Sequence, residues 1–144
     1  MSHVDFSKVS LKEINLWCKN TASEALGIEF IEIGSDYLIA KMPVDHRTHQ
    51  PAGLLHGGAS VLLAETLGSV AGNLCVDRST QACVGVEINA NHLRSVRSGY
   101  VYGKVSSLHL GRSSQVWEIR ISDPEEKLVC ISRLTLAVIN TNSQ

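Results

Sequence analysis

Glu65 is the only Asp, Glu, Lys or Arg between Arg47 and Asp77, in a stretch that reads HQPAGLLHGGASVLLAETLGSVAGNLCVD. A lone carboxylate on an apolar, small-residue helix is costly to bury unless it is paired or used. Catalytic acids and bases often occupy such places, because burial and neighbours move their proton affinity. The His56-Gly57-Gly58 that opens the helix is a second chemical element. Free N–H groups at a helix N-terminus, backed by the dipole, form an anion site, and glycines let an oxygen approach them closely. His56 stands where it can orient an oxygen or a water; satisfying loop backbone groups is its simpler use.

Eight residues separate Gly57 from Glu65, roughly 12 Å at 1.5 Å per residue of helix. A base and an oxyanion donor acting on one carbonyl must both lie within about 3 Å of the reacting atoms. The two groups of one chain therefore cannot serve one carbonyl together. If both are catalytic, two subunits must bring antiparallel copies of the helix side by side, as an obligate dimer with composite sites.

The elements that position these groups follow from pattern. On a helix over about 57–75, Leu63, Leu67, Val70 and Leu74 share a stripe expected to pack on a sheet. Glu65 falls opposite, beside Gly68, Ser69 and Gly72, a shelf that would leave room for a ligand or for a close helix contact. Ser10 and Glu13 form a capping-box pattern for a helix over 11–20, with Ile14, Trp17 and Cys18 inward, and Thr21 and Glu24 repeat the signal before Gly27. Residues 28–33 and 37–43 read as strands joined by Gly34-Ser35-Asp36. A loop over 44–55 delivers the chain to the helix. Strands follow over about 82–96, 100–109, 115–121 and 128–139, with Trp117, Ile119 and Ile121 on one face and Glu118 and Arg120 on the other. Residues 140–144 read as disordered. One long helix against antiparallel strands is α+β.

The 144 residues read as a single domain, with 44% hydrophobic and 19% charged residues. A net charge of −1 offers no footprint for nucleic acid. Cys18, Cys75, Cys83 and Cys130 lack metal-ligand spacing and read as reduced thiols, so no metal or cofactor is expected. The segment MSHVDFSKVS has no signal architecture, and the apolar helix is too interrupted by Gly, Ser, Asn and Glu to span a membrane. A cytoplasmic protein with no membrane or nucleic-acid partner is the expectation.

The run TxQPxGLLHGGASxxLAExxGS, Thr48 to Ser69, resembles the hotdog-fold acyl-CoA thioesterases of the phenylacetate/4-hydroxybenzoyl-CoA branch. The likeness continues through VGxEINANHLR (Val84 to Arg94), LHLGR (Leu108 to Arg112) and SRLTLAV (Ser132 to Val138). Over nearly the whole chain it is most similar to the 1,4-dihydroxy-2-naphthoyl-CoA hydrolases of menaquinone synthesis, with the enterobactin-pathway proofreading thioesterases as siblings. The resemblance implies a hotdog fold, an antiparallel sheet wrapped around one central helix, and a homo-oligomer built on the dimer, either that dimer or a tetramer. It puts the catalytic carboxylate, nucleophile or general base, at Glu65 and the oxyanion donor at the Gly57 amide. His56 and Gln50 fall where the carbonyl or water is held, and Ser69 where the attacking water is placed. CoA contacts fall on Gly85, on His92, Leu93, Arg94 and Ser95, and on His109, Leu110, Gly111, Arg112, Ser113 and Ser114. Ala52 and Asn73, near the expected acyl pocket, depart from the family, which often carries an aromatic at the first position and sometimes at the second.

No G-x-S-x-G elbow is present, which argues against a serine triad. Arg94, Arg97, Arg112 and Arg133 are candidates to neutralise CoA phosphates, or simply solvated strand ends. His3, His46 and His49 read as surface or loop residues. Two other activities fit the same elements: proofreading of aryl thioesters on a carrier protein, and a hotdog hydroxyacyl dehydratase, whose base would be a histidine. A non-catalytic acyl-CoA sensor would need an output module that this length does not accommodate.

Overall fold

Ser10 Oγ accepts from the Glu13 amide and the Glu13 carboxylate accepts from the Ser10 amide, so the expected capping box starts α1 (Leu11–Trp17). The helix is shorter than expected because Cys18 ends it and Asn20 has a positive φ of 59°. Ile14 and Cys18 are buried as expected, but Trp17 is not; it is partly exposed and lies under the Arg78 guanidinium, 4.0 Å from the ring centre. Thr21 does not complete a second capping box. Its hydroxyl donates to the Cys18 carbonyl, while Glu24 accepts from the Asn20 amide, and α2 (Ala22–Ala25) is a single turn closed at Gly27.

The computed structural model describes residues 4–141; His3 and residues 142–144 lie outside them. The remaining elements are β1 (Glu29–Ile33), β2 (Tyr37–Pro43), α3 (Gly57–Leu74), β3 (Gln81–His92), β4 (Tyr100–Leu110), β5 (Ser114–Ser122) and β6 (Leu128–Asn140). The strands form one antiparallel sheet in the order β1-β2-β4-β5-β6-β3. With α3 against it, this is the α+β hotdog architecture that the sequence led us to expect. Alternation in β5 does what the pattern requires: Trp117, Ile119 and Ile121 are fully buried, and Glu118 and Arg120 face outward. Strand β3 stops at His92 rather than running to 96, because the Leu93 and Arg94 amides both turn to the Val129 carbonyl. Asn140 is paired in β6 and the Thr141 amide donates to the Thr80 carbonyl, so order extends past the expected end.

The largest departure concerns the faces of α3. Its buried residues are Ala59, Ser60, Leu63, Ala64, Leu67, Gly68, Ala71 and Gly72, an arc of roughly 220° at 100° per residue. Gly68 and Gly72 are therefore not an empty shelf. A Cβ on either would stand 2.4 Å from a δ-methyl, of Leu134 and Leu136 respectively. The sheet curls around more than half the helix, so the stripe of large residues is not the only face it covers. Val70 and Leu74 fall within that arc but are only partly buried, and Glu65 lies just beyond its edge, next to Gly72. Among the described residues no helix is long and apolar enough to cross a membrane.

Candidate active site

The loop before α3 shapes the start of the site. The Thr48 hydroxyl is buried and donates to the Pro43 carbonyl, and the His56 amide donates to the Thr48 carbonyl, 2.8 Å away. His49 Nε2 meets the Arg97 carbonyl at 2.8 Å and ties this loop to the turn before β4. These bonds fix where α3 begins. His56 is its N-cap, and its Nδ1 accepts from the Gly58 amide at 2.8 Å. The neutral ring therefore carries its proton on Nε2, which faces outward as a donor. With Gly58 satisfied by the cap, the Gly57 amide, the first of the helix, has no hydrogen-bond partner among the described residues.

The candidate residues fall into two separate clefts. One, of about 370 Å³, brings Gln50 and Gly57 together with His92, Leu93, Arg94 and Ser95 at the end of β3. Here the His92 ring lies over Gly57, its Nε2 2.7 Å from where a Cβ would be. Gln50 folds back so that its side-chain oxygen accepts from the Ala52 amide. Ser60, buried and polar, also lines this cleft, and nothing in the sequence set it apart from other small helix residues.

The second cleft, of about 490 Å³, holds Glu65 and Ser69 between α3 and the α1–α2 segment. Trp17, Val61, Leu62 and Val70 give it mostly apolar walls. No local pattern marks these walls: spacing turns Trp17 inward, whereas its exposed ring stacks under the Arg78 cation. The Ser23 and Thr66 hydroxyls meet at 2.9 Å and fasten α2 to α3 along the cleft. Ser69, one turn after Glu65, has a hydroxyl with no partner among the described residues, so it is free to bind water. Glu65 is half-buried, with its carboxylate lodged against Gly85 of β3.

Two sequence expectations are relocated by this geometry. Asn73 does not line either cleft. Its side chain accepts from the Cys83 amide at 2.9 Å and donates to the Ser69 carbonyl at 2.9 Å and the Cys83 carbonyl at 3.3 Å, clamping β3 to the helix. Ala52 is exposed in the loop, outside both clefts.

The last group, His109 to Ser114, forms the β4–β5 connection, closed by the Gly111 amide donating to the Ser114 carbonyl at 2.8 Å. It lies at the other end of the sheet from His92. Ser114 pairs with Ala137 and His92 with Cys130, a separation of seven residues on β6, or about 23 Å at 3.3 Å per residue. Arg94, Arg97, Arg112 and Arg133 are all exposed. Burial raises the Cys18, Cys83 and Cys130 thiols above their ordinary range and pushes Cys75 up to about 11, with the neighbouring Cys83 adding to the last shift.

Comparison with known proteins identifies the family. The thioesterase superfamily profile matches residues 52–130, which include α3 and β3 to β5. The chain is 53% identical over 132 residues to the 1,4-dihydroxy-2-naphthoyl-CoA hydrolase of Escherichia coli, covering 92% of this chain and 96% of that one. It is also 53% identical over 131 residues to the proofreading thioesterase EntH of Cronobacter turicensis, 91% of this chain and 95% of the relative. The crystal structure of a mutant thioesterase from Pseudomonas aeruginosa, 51% identical, superposes with a TM-score of 0.93 over 95% of this chain and 99% of that one. A central helix carrying Glu65, the curled antiparallel sheet around it and this similarity along nearly the whole length together establish that the chain belongs to the thioesterase superfamily.

Proposed function

We propose that this chain, as one hotdog domain, hydrolyses an aromatic acyl-CoA thioester to the free acid and CoA, with 1,4-dihydroxy-2-naphthoyl-CoA or a hydroxybenzoyl-CoA-like ester as substrate. Glu65 attacks the carbonyl carbon or takes a proton from the attacking water. The Gly57 amide receives the charge that develops on the carbonyl oxygen. His56 Nε2 and Gln50 hold the carbonyl, and Ser69 places the water. Addition of water puts hydroxyl on the acyl carbon and returns the proton to the departing thiolate.

The observation that carries this reading is the division of the residues between two clefts, with an unpartnered Gly57 amide in one and Glu65 in the other. One subunit thus offers one half-site at the N-terminus of α3 and the other at its middle. Apposing two antiparallel copies puts the Glu65 of one beside the Gly57 of the other. In this dimer we assign the two CoA-contact groups, which are far apart within a chain, to different subunits, His92 to Ser95 from one and His109 to Ser114 from its partner. Gly85 completes the contacts that the family resemblance implies. A dimer is the smallest assembly with complete sites, and a tetramer repeats it. The cytoplasm supplies such thioesters.

The direct test is Glu65→Gln, assayed against a panel of aromatic and aliphatic acyl-CoA esters. Loss of turnover with an intact oligomer is expected, and retained turnover would refute the role of Glu65. Running the same acids on a carrier protein measures the proofreading alternative through kcat/KM. Product analysis with a β-hydroxyacyl thioester identifies a dehydratase by an enoyl product.

A further inference from the structure

We infer that Gly85 is a positioning residue for Glu65: β3 presents a vacant Cβ position into which the carboxylate fits, and this fixes where the carboxylate stands. The inference rests on the proposed role of Glu65 and goes beyond the CoA contact that the family resemblance gives Gly85.

Three features converge on this position. A Cβ built on Gly85 would lie 2.7 Å from Glu65 Oε1, closer than such atoms approach in practice, and nothing else but the Glu65 carboxyl carbon, at 3.9 Å, comes within 4 Å. The glycine thus makes room for the carboxylate and for no other group. Second, β3 carries a bulge immediately after it. Gly85 pairs with Leu136 and Glu87 with Thr135, leaving Val86 as the extra residue. A bulge bends its strand and re-aims the residues around it. Third, Asn73 clamps the Cys83 amide and carbonyl, two residues before Gly85, onto the helix that carries Glu65. Helix and strand are therefore held at a set spacing where the notch meets the carboxylate. A half-buried glutamate has several staggered rotamers available. The notch selects among them.

The atom that a new methyl would strike is the end of a flexible side chain, so Gly85→Ala should fold with its Tm unchanged and move the carboxylate instead. A misplacement of about 1 Å costs up to about 100-fold in rate. The expected result is a kcat lowered about 10- to 100-fold with KM within about twofold. A raised KM with kcat preserved would assign Gly85 to CoA contact alone and overturn the inference, as would an unchanged enzyme. The second arm is a double-mutant cycle with Glu65→Asp, whose shorter side chain withdraws from the notch. In that background Gly85→Ala should cost less than about twofold. Additive losses would show a general effect of the methyl and overturn the inference, even if the single variant also lost stability. Glu65→Gln separates the two levels. If it retains turnover, the functional reading fails and takes this inference with it. If it is inactive while Gly85→Ala keeps full kcat, only the positioning role fails.

Discussion

Gly57→Pro would remove the amide hydrogen assigned to the oxyanion, at a position where the helix does not use it. Gly57 is the first residue of α3, where proline is well tolerated because the N–H has no intrahelical partner. The residue before a proline must be extended, and His56 already is, with φ −70° and ψ 130°. The Gly57 amide makes no bond within the described chain, so its loss breaks no structural contact. A side chain there does meet the exposed His92 ring, 2.7 Å from the new Cβ, so Gly57→Ala is the matched control that displaces His92 and keeps the N–H. Removing one oxyanion donor costs about 100- to 1,000-fold in kcat, or roughly 2.7–4 kcal/mol. Steady-state kinetics on an aromatic acyl-CoA should therefore place Gly57→Pro lower than Gly57→Ala by about that factor, with similar thermal midpoints. A proline variant within about threefold of the alanine variant would refute the assignment of this amide, whatever its absolute rate.

Composite sites make a sharper demand: co-expressed Glu65→Gln and Gly57→Pro chains, each inactive alone, should recover activity in mixed dimers, and failure of purified heterodimers to do so would refute the two-subunit arrangement. Gly72→Ala inserts a methyl 2.4 Å from Leu136 Cδ1 and 2.6 Å from Gln115 Oε1 in the closed core, so urea unfolding should report a loss of about 1–3 kcal/mol. Burial, with Cys83 beside it, pushes the Cys75 thiol up to about 11 in the folded chain, from an ordinary value of 9.0. Between those two values the unfolded state sheds this proton first, so stability should fall as pH rises through that window. Cys75→Ala should flatten that slope in denaturant titrations, and an unchanged slope would show that the thiol does not couple to folding.

Much of the fold is legible because its local signals are strong and agree with one another. The Ser10–Glu13 capping box, the Gly34-Ser35-Asp36 turn and the alternation of Trp117, Ile119 and Ile121 each depend on a few neighbouring residues. Errors arose where distant segments compete for one residue. Helical periodicity grouped Gly68 and Gly72 with Glu65, yet both are filled from the far side by leucines of β6. Trp17 was expected in the core by spacing, but Arg78, remote in sequence, holds its ring at the surface. Asn73 looked like a missing pocket aromatic, while its amide serves the backbone of β3.

The sequence by itself determined the central helix, its lone carboxylate, its glycine-lined N-terminus and the roughly 12 Å between them, because helix rise is fixed by backbone geometry. From that spacing alone came the requirement for a second subunit if both groups act on one carbonyl. Tertiary structure decided the rest. It sorted the candidates into two clefts, consumed the Gly58 amide at the His56 cap while leaving that of Gly57 free, and brought Gly85 against the Glu65 carboxylate. Those outcomes depend on how a curled sheet packs strands 20 residues away in sequence onto the helix, which no local pattern around Glu65 encodes.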